Sequence, residues 1–175
     1  MKRRAILLAT TIALALALSS GVALAATITC TGGFCEGTGA RDTIYGSDID
    51  DEIRAGGNSD SVYGNGGNDD LSGESGNDRL YGGPGNDQLF EQGSPDVAGG
   101  YDRFVGGGGN DDILPLEGTF PSSFVDTVSA GGGDDFVAAT DLSEDRIECG
   151  RGVDTVEFDS SVDTVADDCE VQRPF

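Results

Sequence analysis

The chain has 175 residues, of which 32 are Asp or Glu and only ten are Lys or Arg, and its formal net charge is −22 at pH 7. It contains no His and no Trp, and its only Lys is Lys2. These absences exclude a Ser-His-Asp triad, a His general base, His-ligated zinc and a P-loop lysine. So acidic a chain also repels nucleic acid and anionic membranes.

The first predicted element is a secretory signal peptide over residues 1–25. A basic start at residues 2–4 precedes an almost wholly apolar run over residues 5–18, and Ala-Leu-Ala at 23–25 forms a small-residue cleavage site. The apolar run is too short for a membrane span. We therefore expect a secreted, extracellular protein with no membrane span in the mature chain. Cleavage would leave seven basic residues against 32 acidic ones, a net charge of −25.

Residues 37–90 consist of six consecutive blocks of nine residues. The blocks read GTGARDTIY, GSDIDDEIR, AGGNSDSVY, GNGGNDDLS, GESGNDRLY and GGPGNDQLF. Position 8 is always aliphatic and position 6 is always Asp, namely Asp42, Asp51, Asp60, Asp69, Asp78 and Asp87. A flexible Gly/Asp-rich linker is the alternative interpretation. An unstructured segment, however, has no reason to keep an aliphatic residue in step.

Each block predicts a six-residue turn followed by a three-residue strand. Side chains alternate along a strand, so position 8 points inward and positions 7 and 9 point outward. The turn needs glycine because its backbone visits positive φ and comes close to an ion. Carboxylates and main-chain carbonyls are the hard ligands that Ca²⁺ takes in sets of six to eight, whereas Mg²⁺ and softer metals fit less well. The repeat therefore predicts several bound calcium ions.

The pattern G-G-x-G-x-D-x-U-x, in which U is aliphatic, resembles the calcium-binding nonapeptide repeat of the RTX, or haemolysin-type, family. The resemblance implies an all-β fold, a right-handed parallel β-roll with two blocks per coil and calcium in the stacked turns. One edge would carry Asp42, Asp60 and Asp78, and the other Asp51, Asp69 and Asp87. We expect carbonyl ligands from Gly64, Gly66, Gly73 and Gly82. Two turns depart from the family pattern, since Ala40 and Ile49 stand where it has glycine.

Beyond residue 90 the repeat continues with loop insertions. Well-formed blocks recur as GGGGNDDIL, AGGGDDFVA and CGRGVDTVE, and they add the candidate metal ligands Asp111, Asp135 and Asp154. Asp154 is the weakest of these, because insertions could leave it without a stacked partner. We expect one roll, regular over 37–90, irregular over 91–148 and ending in a last repeat and cap over 149–175. Two short rolls joined at residues 115–125 are the alternative.

Four cysteines flank the repeats. A solenoid exposes its core and an unpaired strand edge at each end, and in an exported chain disulfides are expected there. Three pairings are possible, and proximity favours Cys30–Cys35 and Cys149–Cys169; a cysteine metal site is a poor alternative without His. The first bond would close an N-terminal cap over residues 26–36. The C-terminal sequence around Cys169 resembles small exported bacterial calcium-binding repeat proteins with a disulfide-closed end.

Three tyrosines, Tyr45, Tyr63 and Tyr81, recur every 18 residues at outward position 9. They should form a ladder on one face of the roll. In one interpretation the stacked rings brace neighbouring strands. In the other they form a docking strip for a polysaccharide or a peptide.

Residues and resemblance together predict a secreted calcium-binding protein that folds on Ca²⁺ and has a structural, matrix or cell-surface role. We expect this protein to have no enzymatic activity and no nucleic-acid partner. One alternative is a calcium-dependent module that binds polysaccharide or cell wall. Another is a glycan-active enzyme with an acidic pair, although close carboxylates are expected by chance among 32 acids. Toxin activity is not transferred, because large RTX toxins are expected to use a C-terminal secretion signal.

Overall fold

The computed structural model describes residues 24–91, 100–115 and 124–175, and within these ranges the chain is all-β with no helix. The strands are β1 (Thr27–Thr29), β2 (Gly33–Glu36), β3 (Thr43–Tyr45), β4 (Asp51–Arg54), β5 (Ser61–Tyr63), β6 (Asp70–Ser72), β7 (Arg79–Pro84), β8 (Gln88–Phe90), β9 (Arg103–Gly108), β10 (Asp112–Leu114), β11 (Thr127–Gly132), β12 (Phe136–Ala139), β13 (Arg146–Arg151), β14 (Thr155–Phe158), β15 (Thr164–Val165) and β16 (Val171–Pro174). The predicted signal peptide, apart from its last two residues, lies outside the described residues. In the same ranges no helix is long and apolar enough to cross a membrane.

The strands alternate between two parallel sheets. Odd-numbered strands form one eight-stranded sheet and even-numbered strands form the other. Each strand pairs with the strand two places along the chain, as β3 pairs with β5 and β4 with β6. The chain thus crosses between the sheets at every turn, and two strands and two turns make one coil. The predicted parallel β-roll is confirmed.

The sheets run without interruption through the irregular part of the chain. Strand β9 pairs with both β7 and β11, and β10 pairs with both β8 and β12. The pairing crosses residues 115–125 on both sheets, so the alternative of two separate rolls is wrong. Coils lengthen here: stacked aspartates lie 18 residues apart in the regular part and 24 apart from Asp78 to Asp102.

The space between the sheets is filled mainly by one apolar side chain per strand. The six position-8 aliphatics, all 0% exposed, are Ile44, Ile53, Val62, Leu71, Leu80 and Leu89. The column continues in the later coils with Phe104, Ile113, Val128, Val137, Ile147 and Val156. The predicted inward orientation of position 8 is therefore confirmed. A core of this width gives each coil only two large apolar side chains, so polar groups in the turns carry much of the coil-to-coil contact.

The two edges of the roll differ in turn length. We call the turns that lead from odd to even strands the regular edge. From residue 46 to residue 154, positions 1–6 of every block on this edge end in Asp and contain no insertion. The turns that lead from even to odd strands form the irregular edge. Its connections from β8 to β9 and from β10 to β11 are twelve residues long. The insertions therefore fall on one edge and leave the other in register.

Disulfide bonds tie the two sheets together at both ends, as predicted. Cys30, which follows β1, bonds to Cys35 in β2, with 5.9 Å between the Cα atoms. Cys149 in β13 bonds to Cys169, which precedes β16, with a Cα distance of 5.2 Å. No free cysteine remains among the described residues, which include all four. The first bond lies within the first coil, and the second ties β13 to the segment between the terminal strands β15 and β16.

The predicted tyrosine ladder is present on the odd-strand sheet. The ring centroids of Tyr45 and Tyr63 lie 5.1 Å apart with an interplanar angle of 13°, and those of Tyr63 and Tyr81 lie 4.9 Å apart at 4°. The rings cover each other's faces, and those faces are the surfaces that a sugar ring would need. This geometry favours the bracing interpretation over a docking strip.

Candidate metal centre

The position-6 aspartates of the regular edge form a continuous hydrogen-bonded ladder. The amide of Asp69 donates to Oδ1 of Asp87 at 2.9 Å, and the amide of Asp87 donates to Oδ1 of Asp111 at 2.8 Å. The series is Asp51, Asp69, Asp87, Asp111, Asp135 and Asp154. Each is at most 3% exposed. The structure thus brings six of the nine predicted aspartates into one column.

The irregular edge carries a second ladder of the same kind, which includes the other three predicted aspartates. The amide of Asp42 donates to Asp60 at 2.7 Å, and that of Asp60 donates to Asp78 at 2.7 Å. The ladder continues through Asp102, Asp126, Asp145 and Asp163. The sequence prediction did not include these four as ligands. The signal was present, because each of them precedes a strand in the same way as the earlier aspartates.

The second carboxylate oxygen is buried and unsatisfied in most of these aspartates. Within the described part of the chain, Oδ2 has no hydrogen-bond partner in Asp60, Asp69, Asp78, Asp87, Asp111, Asp135 and Asp154. A buried carboxylate oxygen without a partner is strongly unfavourable. The arrangement therefore calls for a cation beside each of these oxygens.

The position-1 glycines of three turns lie directly against a carboxylate oxygen and a carbonyl oxygen. A Cβ added to Gly82 would collide with Oδ2 of Asp87 in its own turn and with the carbonyl oxygen of Gly106 in the next coil. The spaces beside Gly64 and Gly106 are bounded in the same way, by Asp69 with Gly82 and by Asp111 with Ala130. In these three turns a carboxylate oxygen and a carbonyl oxygen from adjacent coils thus lie close together beside the glycine. This is the donor set that calcium takes, so the residues present fit the ion.

The model of the RTX calcium-binding nonapeptide repeat family matches the chain in four copies, over residues 36–71, 63–90, 98–119 and 122–141. Together the copies cover more than half of the chain. The chain belongs to the RTX calcium-binding repeat family. Comparisons with curated proteins and with solved structures found no match. The RTX repeats bind Ca²⁺ at several sites and have a structural role.

The predicted glycine ligands of the RTX turns occupy different places. Gly64 and Gly82 border the spaces described above, and Gly73 borders one between Asp78 and Glu91. Gly66 lies apart from these spaces: a Cβ there would have Asp48 Cα and Pro84 O as its nearest atoms, both at 3.9 Å. That the carbonyls of these four glycines bind calcium stays a prediction.

Burial changes the acidity of the ladder carboxyls. Loss of water raises the pKa of Asp78 to about 8, of Asp60 and Asp111 to about 7, and of Asp69 to about 6. The amide hydrogen bond to each carboxylate opposes this rise in pKa, and neighbouring aspartates add to it. Burial also raises the pKa of Asp87, Asp135 and Asp154. A calcium ion at Oδ2 would offset the desolvation and favour the ionised carboxylate.

The backbone of the well-formed turns has the positive φ angles that the repeat requires. In the turn at residues 82–87, Gly83 has φ 115° and Gly85 has φ 145°. A Cβ on Gly83 would also collide with the carbonyl of Asn65 in the preceding coil. Glycine at this position therefore allows both the left-handed conformation and the close stacking of turns.

The first two RTX turns close in another way. In the turn at 37–42, the amide and hydroxyl of Thr38 donate to Oδ2 of Asp42 at 2.6 and 2.7 Å. The amide and hydroxyl of Ser47 donate to Oδ2 of Asp51 at 2.6 and 2.8 Å. Neither turn contains a residue with positive φ. In these two turns, which depart from the family pattern, Oδ2 accepts hydrogen bonds from within the turn. In the other turns the same oxygen is the candidate calcium ligand.

Asp154 has stacked partners on both sides, so the insertions that made it the weakest candidate in the sequence do not isolate it. Its Oδ1 accepts the amide of Asp135, and its own amide donates to Oε2 of Glu170 at 3.1 Å. The reason is that the insertions lie on the irregular edge, so the turn at 149–154 stays in register with the turn at 130–135. Glu170 ends the ladder of the regular edge, and sequence reasoning missed it because no nonapeptide surrounds it.

A further ladder, formed by position-5 residues, supports the regular edge, and the sequence analysis did not predict it. The amide of Asn86 donates to Oδ1 of Asn68 at 2.9 Å, and the amide of Asn110 donates to Oδ1 of Asn86 at 2.8 Å. The amide of Asp134 continues the series on Asn110 at 3.0 Å. The recurrence of Asn-Asp at positions 5 and 6 was the signal in the sequence.

Proposed function

We propose that this chain is an exported protein in which calcium ions fix the β-roll, and that it has a non-enzymatic structural role in an extracellular matrix or at a cell surface. The observation that carries the proposal is the column of buried Oδ2 atoms on the regular edge, three of which, in Asp69, Asp87 and Asp111, lie beside a carbonyl oxygen of the next coil. Such a column stabilises the fold only when cations occupy it. The two disulfides and the expected signal peptide support an oxidising destination.

The mature chain tests this role by calcium calorimetry combined with far-UV circular dichroism. We expect an expanded chain in EGTA, a β-rich chain in excess calcium, and several ions bound per chain. Binding to the folded state alone contributes about 4 kcal/mol per site at about 1,000 times its dissociation constant. A β-rich, compact chain in EGTA without a calcium-binding heat would overturn the proposal.

The second candidate function is calcium-dependent binding of an acidic polysaccharide. A surface cleft of about 490 Å³ lies over the odd-strand sheet. It is lined by Arg41, Arg79 and Arg103, by Asp78 and Asp102, which are almost fully buried, and by several uncharged polar groups. Arg79 and Arg103 stand opposite each other on adjacent strands, where like charges are destabilising. In the described part of the chain neither guanidinium makes an ion pair, although the chain is strongly acidic. A guanidinium matches carboxylate and sulfate groups in two-point contacts.

The cleft also offers contacts that suit a sugar. Tyr101, which is 55% exposed, lines it together with the hydroxyl residues Ser59, Ser61 and Thr127. An exposed aromatic ring beside hydroxyl groups and guanidinium groups fits an acidic sugar better than a neutral one. This candidate assigns the polysaccharide to the arginine cleft and not to the tyrosine ladder.

Retention on immobilised polygalacturonate in excess calcium tests the second candidate. We expect the wild-type chain to bind, the double variant R79Q/R103Q to lose at least about tenfold in affinity, and R54Q to behave as the wild type. Arg54 is a suitable control because it already pairs with Glu52 at 2.8 Å. Equal retention of wild type and R79Q/R103Q would sink this candidate, as would equal binding to neutral cellulose.

A further inference from the structure

We propose that Asp78, Glu91 and Asp102 form a calcium site of three carboxylates on the irregular edge, distinct from the repeat sites because Glu91 supplies a side-chain ligand from position 1. The proposal rests on the calcium-binding role above. No element of the nonapeptide pattern assigns a ligand to Glu91. The site lies where the coils change from 18 to 24 residues.

The three side chains converge in the structure. One carboxylate oxygen from each lies within 4.8 Å of the others. Asp78, Glu91 and Asp102 are 1%, 7% and 3% exposed, so all three belong to the interior of the edge. The spread of the oxygens suits a single ion that draws its ligands inward to the 2.3–2.6 Å of calcium coordination.

A second observation shows that the carboxylates face a common space. Oδ1 of Asp78 accepts the amide of Asp60, whereas its Oδ2 has no hydrogen-bond partner among the described residues. A Cβ added to Gly73 would lie 2.8 Å from this Oδ2 and 2.8 Å from Oε2 of Glu91. The two oxygens therefore flank the same small volume beside Gly73. Asp78 thus contributes a buried and unpaired oxygen that is aimed into the site.

Comparison with the regular edge shows what Glu91 changes. Beside Gly82 the space is bounded by Oδ2 of Asp87 and the carbonyl oxygen of Gly106. Beside Gly73 the equivalent space is bounded by Oδ2 of Asp78 and a carboxylate oxygen of Glu91. A charged oxygen thus takes the place of a neutral one. Because calcium affinity rises with the number of charged ligands, this site should bind more tightly than the regular sites.

The negative charge of the three side chains favours a bound cation at this site. The nearest basic groups, Arg41, Arg79 and Arg103, line the adjoining cleft. In the described part of the chain none of them forms an ion pair with Asp78. Three buried carboxylates repel each other strongly at these separations. Calcium neutralises them and at the same time joins the turn at 73–78 to the turn that begins at Glu91.

Calcium calorimetry on the full mature chain tests the site with two variants. E91Q keeps the shape of the side chain and removes its charge, and E91G restores the residue that most turns have at position 1. We expect either variant to lose the tightest class of sites, with a fall in affinity of about tenfold. The control E74Q, which changes an acid in the same turn at 73–78, should retain the wild-type isotherm.

Urea unfolding separates a ligand role from a packing role. E91Q should be less stable than the wild type towards urea in calcium. In EGTA, where the wild-type chain is expanded, E91Q should retain more β-structure by circular dichroism, because the Glu91 charge repels Asp78 only when no ion is bound. A variant that merely packs badly would be less stable in both. Wild-type isotherms for E91Q and E91G would overturn this site and leave the general calcium role intact. Absence of calcium binding by the wild type would overturn both.

Discussion

The main-chain amide of Asp135 donates a 2.9 Å hydrogen bond to Oδ1 of Asp154, which lies 19 residues further along the chain. The same contact joins the turns before it at separations of 18 and 24 residues. The bond is therefore independent of coil length, because the extra residues are accommodated on the opposite edge. It keeps the Asp ladder, and with it the calcium-binding column, continuous up to the last coil.

Acid should replace calcium as a stabiliser of the roll. The pKa values of Asp60 and Asp78 rise from 3.8 to about 7 and about 8 in the folded chain, so the folded state binds protons that the unfolded state has lost. Their contribution to the free energy of unfolding is fully present below pH 3.8 and is lost as pH rises towards 8. Circular dichroism of calcium-free protein should show β-structure decreasing from pH 4 to pH 8.

The matched measurement in saturating calcium should show the structure retained at pH 8, because the ion binds the ionised carboxylates. The variant D78N should weaken the pH dependence in the calcium-free protein. Calcium-free protein that becomes more structured as pH rises would contradict the argument.

Two neighbouring glycines in β11 should respond very differently to alanine. Gly131 has φ 119°, and a Cβ there would collide with the carbonyl of Gly107 in the preceding coil. A Cβ on Gly132 would have no atom within 4 Å. In urea unfolding with excess calcium, G131A should lose about 3 kcal/mol or more. G132A should stay within about 0.5 kcal/mol of the wild type, and similar losses in the two variants would contradict the stacked-turn geometry.

Asp51 and Asp87 occupy the same position on the same edge, yet only Asp87 should affect the number of bound ions. Oδ2 of Asp51 already accepts the amide and hydroxyl of Ser47, and the unpaired oxygen of Asp51 is Oδ1, whereas in Asp87 the unpaired oxygen in the described chain is Oδ2, the one beside the carbonyl of Gly106. Calorimetry should find at least one calcium ion fewer in D87N and the wild-type number in D51N. Loss of an ion in D51N would show that hydrogen bonds from Ser47 do not replace the metal.

The tyrosine ladder should contribute to stability in proportion to the number of stacked neighbours. Tyr63 stacks on two rings and Tyr45 on one, and an aromatic pair adds about 0.5–1.5 kcal/mol beyond its buried area. Y63S should therefore lower the free energy of unfolding by about 1–3 kcal/mol, and Y45S by about half as much. If Y63S kept full stability but lost binding to a glycan, the docking interpretation would be correct.

The sequence predicted the roll and most of the ladder residues because the repeat is local. Ile44 and Ile53 repeat at nine residues, which fixes the inward face of each strand, and both are fully buried. The disulfides Cys30–Cys35 and Cys149–Cys169 followed from proximity along the chain. Each of these inferences needed information from only a few residues.

The missed features depend on which edge a turn occupies, and the nonapeptide pattern does not encode this once the coil length changes. Asp154 was the weakest ligand candidate because the sequence does not show on which edge an insertion lies, and an insertion on either edge gives the same spacing. Glu91 and Glu170 lie outside any regular block, and only the folded chain places them beside Asp78 and Asp154. Likewise, only the structure shows that hydrogen bonds from Thr38 and Ser47 close the turns that contain Ala40 and Ile49.

Because the long connections all lie on the irregular edge, the roll is a scaffold with one edge of constant turn length and one edge of variable turn length. A foreign peptide grafted between β8 and β9, or between β10 and β11, would leave the opposite edge at its original length. The regular edge, with its bound ions, would then hold the graft at a defined height along the axis of the roll. Such a chain could display interchangeable segments at intervals set by the spacing of its coils, and removal of calcium would abolish their fixed spacing.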